Sequence, residues 1–390
     1  MGVRTAAAAW WHRVVAMAAA TGPTRDRYVD FLRVCAIGVV VLWHWALSVV
    51  YWSGDRWVNP NPLHTVPGGW LLTWVGQVVP LFFVVGGYAN AAGWWAARRD
   101  GRGVRGFLAR RLRRLLLPVA GFLAVWAGVE IVAHLLVPGY PGALRFAMIV
   151  FTPLWFIGAY VLVVVLTPVT ASVHRRARWV AVGTLAAAVV AADVGRFAAG
   201  ITTLGWVNTA LVWVLIHQIG YFYQDGWATR LRPGQSLALA AGAVAVLAAL
   251  TSLPAYPVSM VAMIGQEHSN IYPTTMVIAV VAVLQSAIAM RWRAPLSRWL
   301  QRRRVWACVV AVNSVIMTLF LWHMTALLVV LELLRAAGIS PLSRPTVGWW
   351  LQRPFWVLAP AVVLVVLVAI FGRLEAAGRS THALGPTPRT

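Results

Sequence analysis

Lysine is absent from this chain: all 33 basic residues are arginine. Acid is scarce too, with 10 aspartates and glutamates in 390 residues, and charged side chains make up only 11% of the whole. A soluble globular domain carries about 25%, so a chain this poor in charge has no surface to show to water. The two cysteines, Cys35 and Cys308, lie within or beside apolar runs, where a free thiol behaves as a small hydrophobe. They make neither a disulfide framework nor a metal-ligand spacing. A Walker-type glycine loop, a nucleophile elbow and a zinc-binding histidine pair are all missing, which leaves a covalent serine mechanism and a metal site without support. There is also no internal repeat and no composition break that would mark a second folded domain.

What the chain does have is hydrophobicity, at 61% of residues. Apolar runs recur near the ~20 residues that a helix needs to cross a bilayer. They predict an all-α, polytopic transmembrane bundle of ten spans, at 31–51, 69–96, 115–137, 150–171, 179–199, 204–223, 235–253, 273–290, 305–334 and 354–372. A net charge of +23 suggests a nucleic-acid binder at first sight. Position decides against it, because most arginines fall in clusters between the runs. With the amino terminus inside, the arm at 1–27, the loops at 97–114, 172–178, 224–234 and 291–304 and the tail after 373 hold most of them. The opposite side keeps only Arg56, Arg145, Arg196, Arg335, Arg344 and Arg353, so both termini are expected in the cytoplasm. The division expected is a cytoplasmic arm at 1–27, a membrane domain at 28–373 and a polar tail at 374–390. The outer loops at 52–68, 138–149, 254–272 and 336–353 include turn-rich pieces such as NPNPLHTVPGG and VPGYPG, suited to capping a cavity. The 23 tryptophans fit interfacial belts.

Ionisable groups inside membrane spans are costly, so each is weighed as functional against a plain structural pairing. In the first span, Arg33 and His44 are 11 positions apart, nearly three whole turns, which puts them on one helix face about 16 Å apart along the axis. The expectation is Arg33 near the cytoplasmic boundary and His44 near mid-membrane. A guanidinium there suits a phosphate or carboxylate, and a buried imidazole suits proton removal from a hydroxyl. The structural reading pairs Arg33 with Asp30 and leaves His44 as an interhelical hydrogen-bonding group. Glu130 and His134, four apart, are spaced for a mutual bond and Asp193 and Arg196 for an ion pair, and His217 and Gln218 lie in the inner half of the sixth span.

YVDFLRVCAIGVVVLWH resembles the opening helix of the acyltransferase-3 family, whose hallmark is an arginine and a histidine with ten residues between them. PLFFVVGGYANA (80–91) is similar to the family's second-helix segment, which usually reads Phe-Phe followed by Ser-Gly-Phe. FLARRLRRLLLP (107–118) resembles its arginine-rich stretch, LWFIGAYVL (154–162) its Leu-Trp-Phe signature, and NSVIMTLFLWHM (313–324) its late histidine-bearing helix. Two positions depart from the pattern. Gly86 replaces the usual serine, and Pro153 and Leu154 stand where a histidine often precedes Leu-Trp-Phe.

The resemblance implies a membrane O-acyltransferase that moves an acyl group, acetyl foremost, from cytoplasmic acyl-CoA to a hydroxyl of a sugar, glycolipid or natural product. Acyl-CoA is then a co-substrate, and no tightly bound cofactor is expected. His44 is the expected base, Arg33 its partner in orientation, and His323 the next candidate. Arg110, Arg111 and Arg114, in a loop that also carries Arg98, Arg99, Arg102 and Arg105, offer a dock for the donor's phosphates. Glu130 and His217 are secondary candidates. Arginine without lysine, with abundant alanine and valine, suggests a GC-rich, actinobacterial genome and hence a bacterial inner membrane. The rival class is a secondary transporter, and the scarcity of mid-membrane carboxylates argues against it.

Overall fold

A backbone surrounded by lipid must satisfy its own hydrogen bonds, and this chain does so with helices. The computed structural model describes residues 2–377 apart from 23–24, 55, 59, 138, 140–141, 143–144, 146, 264–265 and 267. In chain order come α1 (Gly2–Ala19), α2 (Arg27–Ala46), the short strands β1 (Tyr51–Ser53) and β2 (Arg56–Val58), α3 (Trp70–Gly76), α4 (Val79–Arg99) and α5 (Gly103–Leu136). Next are α6 (Met148–Phe151), α7 (Leu154–Phe197), α8 (Leu204–Gln224), α9 (Pro233–Thr251) and α10 (Met276–Trp299). The chain continues with α11 (Arg303–Asn313), α12 (Ile316–Ala336), α13 (Val347–Leu351) and α14 (Arg353–Ala377).

Eight stretches among the described residues are long and apolar enough to cross a membrane. One of them is double. Helix α7 runs for 44 residues, about 66 Å at the helical rise, twice the ~30 Å of a hydrocarbon core. It bends at Ala177, whose φ of −147° and ψ of 58° leave the helical region. Helix α8 has the length, at 21 residues, but is too polar to be counted with the eight. Counting both halves of α7 and adding α8 recovers the ten predicted spans.

Three boundaries differ from the sequence reading. The loop expected at 172–178 is helical, because it contains no glycine or proline and nothing forces the helix to stop before Ala177. The span expected over 305–334 is broken at Ser314 and Val315 into α11 and α12. There the Asn313 amide leaves the helix direction to bond the Asp30 carbonyl at 3.1 Å, and protein packing makes such irregular backbone tolerable. The arm is largely a helix, α1, which buries Val14 and Ala18 against Trp306 of α11. Of the expected polar tail, 374–377 continue α14 and 378–390 lie outside the described residues, as does half of VPGYPG.

At the centre, α4 and α8 cross with their backbones touching. A Cβ on Gly87 would lie 1.9 Å from the His217 carbonyl oxygen, and one on Gly220 would lie 2.0 Å from that of Val84. Small residues at helix crossings give lipid-solvated bundles their close packing. The opposite extreme is α14, where Leu358, Val362, Val365 and Val366 are exposed as a lipid-facing side chain should be. At the end of α2 the β1–β2 hairpin folds over the bundle, and Trp57 is pinned by donating to Glu332 Oε1 at 2.6 Å. The 254–272 loop is held by the Asn270 amide, which donates to the carbonyls of Pro257 and Ser259 at 2.6 and 2.8 Å.

Candidate active site

Helix α2 starts from an Asp26 cap that accepts from the amides of Tyr28 and Val29 at 2.9 and 3.2 Å. It carries His44 in its last turn, so the imidazole lies at the far end of the helix from Arg33 rather than midway along the span. His323, fully buried on α12, comes to meet it. His44 Nδ1 and His323 Nε2 are 2.8 Å apart, and the rings stack with an interplanar angle of 18°. Two residues 279 positions apart thus form one unit.

The proton positions in this pair follow from its neighbours. His323 Nδ1 lies 2.6 Å from the Phe320 carbonyl oxygen, and a carbonyl only accepts, so Nδ1 carries the hydrogen. In a neutral ring that leaves a lone pair on His323 Nε2, which accepts from His44 Nδ1–H. The remaining lone pair is then on His44 Nε2, on the half-buried residue of the two. The Trp45 indole donates to the His323 carbonyl at 3.0 Å and ties the same two helices.

Arg33 does not join this unit. Its guanidinium bonds Asp30 Oδ1 at 3.2 Å, and the other oxygen of Asp30 accepts from Arg25 at 2.5 Å. The structural pairing weighed above is therefore present, at the arginine-rich end of α2.

At the same end of the bundle, a cavity of about 1050 Å³ lies between the ends of α4 and α8 and the bend of α7. Five arginines line it: Arg98, Arg99, Arg175, Arg176 and Arg178. Arg175 lies 4.8 Å from the Trp95 ring centre, and Arg178 pairs with Asp225 at 2.9 Å. His174 is buried at its wall, 3.3 Å from Asp225 and 3.5 Å from the Gln218 amide. Of the predicted donor dock, Arg110 and Arg114 are exposed on α5, away from this cavity. Arg111 instead turns into the bundle, where it donates to the Ala89 carbonyl and lies against Gly93.

Above the cavity runs a buried chain of hydrogen bonds. Asn90 Nδ2 is 3.0 Å from His217 Nε2, His217 Nδ1 is 3.1 Å from the Tyr221 hydroxyl, and that hydroxyl is 2.8 Å from Thr170 Oγ1. Asn90 can only donate through Nδ2, so the direction is set: His217 accepts at Nε2 and donates from Nδ1 to Tyr221. Tyr221 also lines the cavity, which places His217 one hydrogen bond from it.

The other predicted groups sit apart. Glu130 and His134 meet each other at 3.4 Å on an exposed part of α5. Asp193 and Arg196 do not form the expected ion pair: among the described residues the Asp193 carboxylate accepts from Asn208, Tyr256 and the Met276 amide at 2.7, 3.1 and 2.9 Å. Arg196 turns away to the Pro273 carbonyl and the Phe197 ring. Neutral donors from three elements satisfy the acid where a single arginine satisfies it less completely. His174, Asn90 and Tyr221 were not anticipated. The only sequence signal for His174 was its place in VHRRAR, assigned to a loop; Asn90 and Tyr221 gave none.

The family model described as an acyltransferase domain matches residues 26–373, nearly the whole chain. Neither the curated proteins nor the solved structures compared with the chain give a match.

Proposed function

We propose that this chain, which belongs to the acyltransferase-3 family and is therefore a multi-pass membrane acyltransferase, uses the His44–His323 pair to transfer an acyl group from acyl-CoA to a hydroxyl. The observation that carries this reading is the tautomer fixed by the Phe320 carbonyl, which leaves the one free lone pair on His44 Nε2. His44 Nε2 takes the proton of the acceptor hydroxyl as its oxygen attacks the thioester carbonyl; the carbon–sulfur bond breaks, and the proton passes to the departing thiolate. His323 holds the ring and stabilises the transient imidazolium. The donor's phosphates dock in the cavity of five arginines, which suits a polyanion. Arg33 lies at the same end of the bundle, paired with Asp30.

The arginine-rich end is assigned to the cytoplasm and the hairpin end to the opposite side. His44 stands near the hairpin end, so the acceptor arrives from that side; a sugar, glycolipid or natural-product hydroxyl at the outer face of a bacterial inner membrane fits. Acetyl is the acyl group proposed. The test is transfer of radiolabelled acetyl from acetyl-CoA to pooled envelope glycolipids by the protein in lipid nanodiscs. The His44→Ala variant is expected to lose at least about 100-fold in rate, the usual worth of a positioned base. An equally active variant, or a wild type that neither binds nor turns over any acyl-CoA, overturns the reading; the second result favours a transporter.

A further inference from the structure

The family's second-helix segment usually has a serine where this chain has Gly86. A Cβ built on Gly86 would meet the side chain of Tyr160, at 2.7 Å from Cε2 and 2.9 Å from the hydroxyl oxygen. Position 86 is therefore glycine because Tyr160 fills its space, and the tyrosine hydroxyl lies where a short side chain on residue 86 would point. Its ring is caged by Phe82, Phe83 and Phe156, with centroids 5.7–5.8 Å away, which fixes the direction of the hydroxyl. The hydroxyls of Tyr28, Tyr221, Tyr223 and Tyr256 are each engaged with a protein partner. Among the described residues, the Tyr160 hydroxyl makes no such bond.

Its depth is informative. Phe156 touches Phe320, the residue that fixes His323, and Tyr160 is one turn further along α7, about 6 Å toward the arginine cavity. Arg111 is close enough to Tyr160 to interact electrostatically. The hydroxyl thus stands between the base and the phosphate dock, at a level that only the extended arm of the donor would occupy.

We propose that Tyr160 is a donor-positioning residue whose hydroxyl takes over the place of the family's serine hydroxyl and donates a hydrogen bond to an amide carbonyl of the acyl-pantetheine arm. This rests on the acyltransferase reading above. A neutral hydrogen bond of this kind changes binding by about fivefold. In the Tyr160→Phe variant, which keeps the ring and its packing, KM for acetyl-CoA is expected to rise about fivefold with kcat nearly unchanged. Tyr160→Val clears the space at position 86, and adding Gly86→Ser to it is expected to recover the lost donor affinity. Thermal melts of all three variants separate loss of packing from loss of the bond. If Tyr160→Phe leaves KM unchanged while His44→Ala is inactive, this inference alone fails; if His44→Ala is also active, the underlying reading fails with it.

Discussion

His323 shows how little of a site one residue type declares. The Arg33–His44 spacing was legible because helical periodicity puts both on one face, and His323 was legible through its family segment. Their geometry was not. Which histidine nitrogen meets which depends on the packing of α2 against α12, and no local pattern encodes a contact across 279 positions. The backbone carbonyl that sets the tautomer is equally invisible, since every residue has one. Because His323 acts through His44, its replacement is expected to hurt less than loss of the base. His323→Ala should lower kcat by about tenfold to 100-fold, at or below the lower end of general-base effects, with KM for acetyl-CoA unchanged. Steady-state kinetics on both substrates checks this, and a His323→Ala enzyme with full kcat contradicts the pair.

At the scale of elements, apolar windows located the helices well and missed the interruption between α11 and α12. The bend at Ala177 falls inside the loop expected at 172–178, although no glycine or proline announces it, whereas the break between α11 and α12, at Ser314 and Val315, falls inside a span read as continuous. Tertiary packing makes both. Breakers were informative where they allow close approach, as at Gly87 and Gly220. A methyl group at residue 87 would overlap a carbonyl of α8, whose helical hydrogen bonds hold it rigid, so α4 and α8 must separate to admit it. Overpacking of this sort costs about 1–3 kcal/mol or more. Gly87→Ala is accordingly expected to lower the melting temperature in detergent and to reduce activity through His217 and Asn90, whereas alanine at Gly128, with open space around it, should leave both unchanged.

For the whole molecule, the number of spans, the helical class and the clustering of charge were readable from composition and order alone. Which arginines share a cavity was not. The donor dock was expected at Arg110, Arg111 and Arg114, yet the arginines that share a cavity come from α4 and the bend of α7, two elements that only the fold brings together. The cavity assignment predicts that Arg175→Ala raises KM for acetyl-CoA by about tenfold, the worth of one charge-assisted contact, while Arg110→Ala has a smaller effect. Added salt should raise the wild-type KM more steeply than that of Arg175→Ala, because fewer screened charges remain in the variant. Kinetics at two ionic strengths provides the comparison.

The break before α12 also bears on how the protein is made. The start of α12 is closed by Glu375 of α14, whose carboxylate accepts from the Thr318 amide and hydroxyl, both at 3.1 Å. A carboxylate at a helix amino terminus offsets the positive end of the helix dipole. The helix bearing His323 is thus anchored by a residue made almost sixty positions after it begins. During synthesis every group of the site enters the bilayer before the anchor that holds this helix in place. The expected consequence is that the His44–His323 pair becomes rigid only when the last span has joined the bundle.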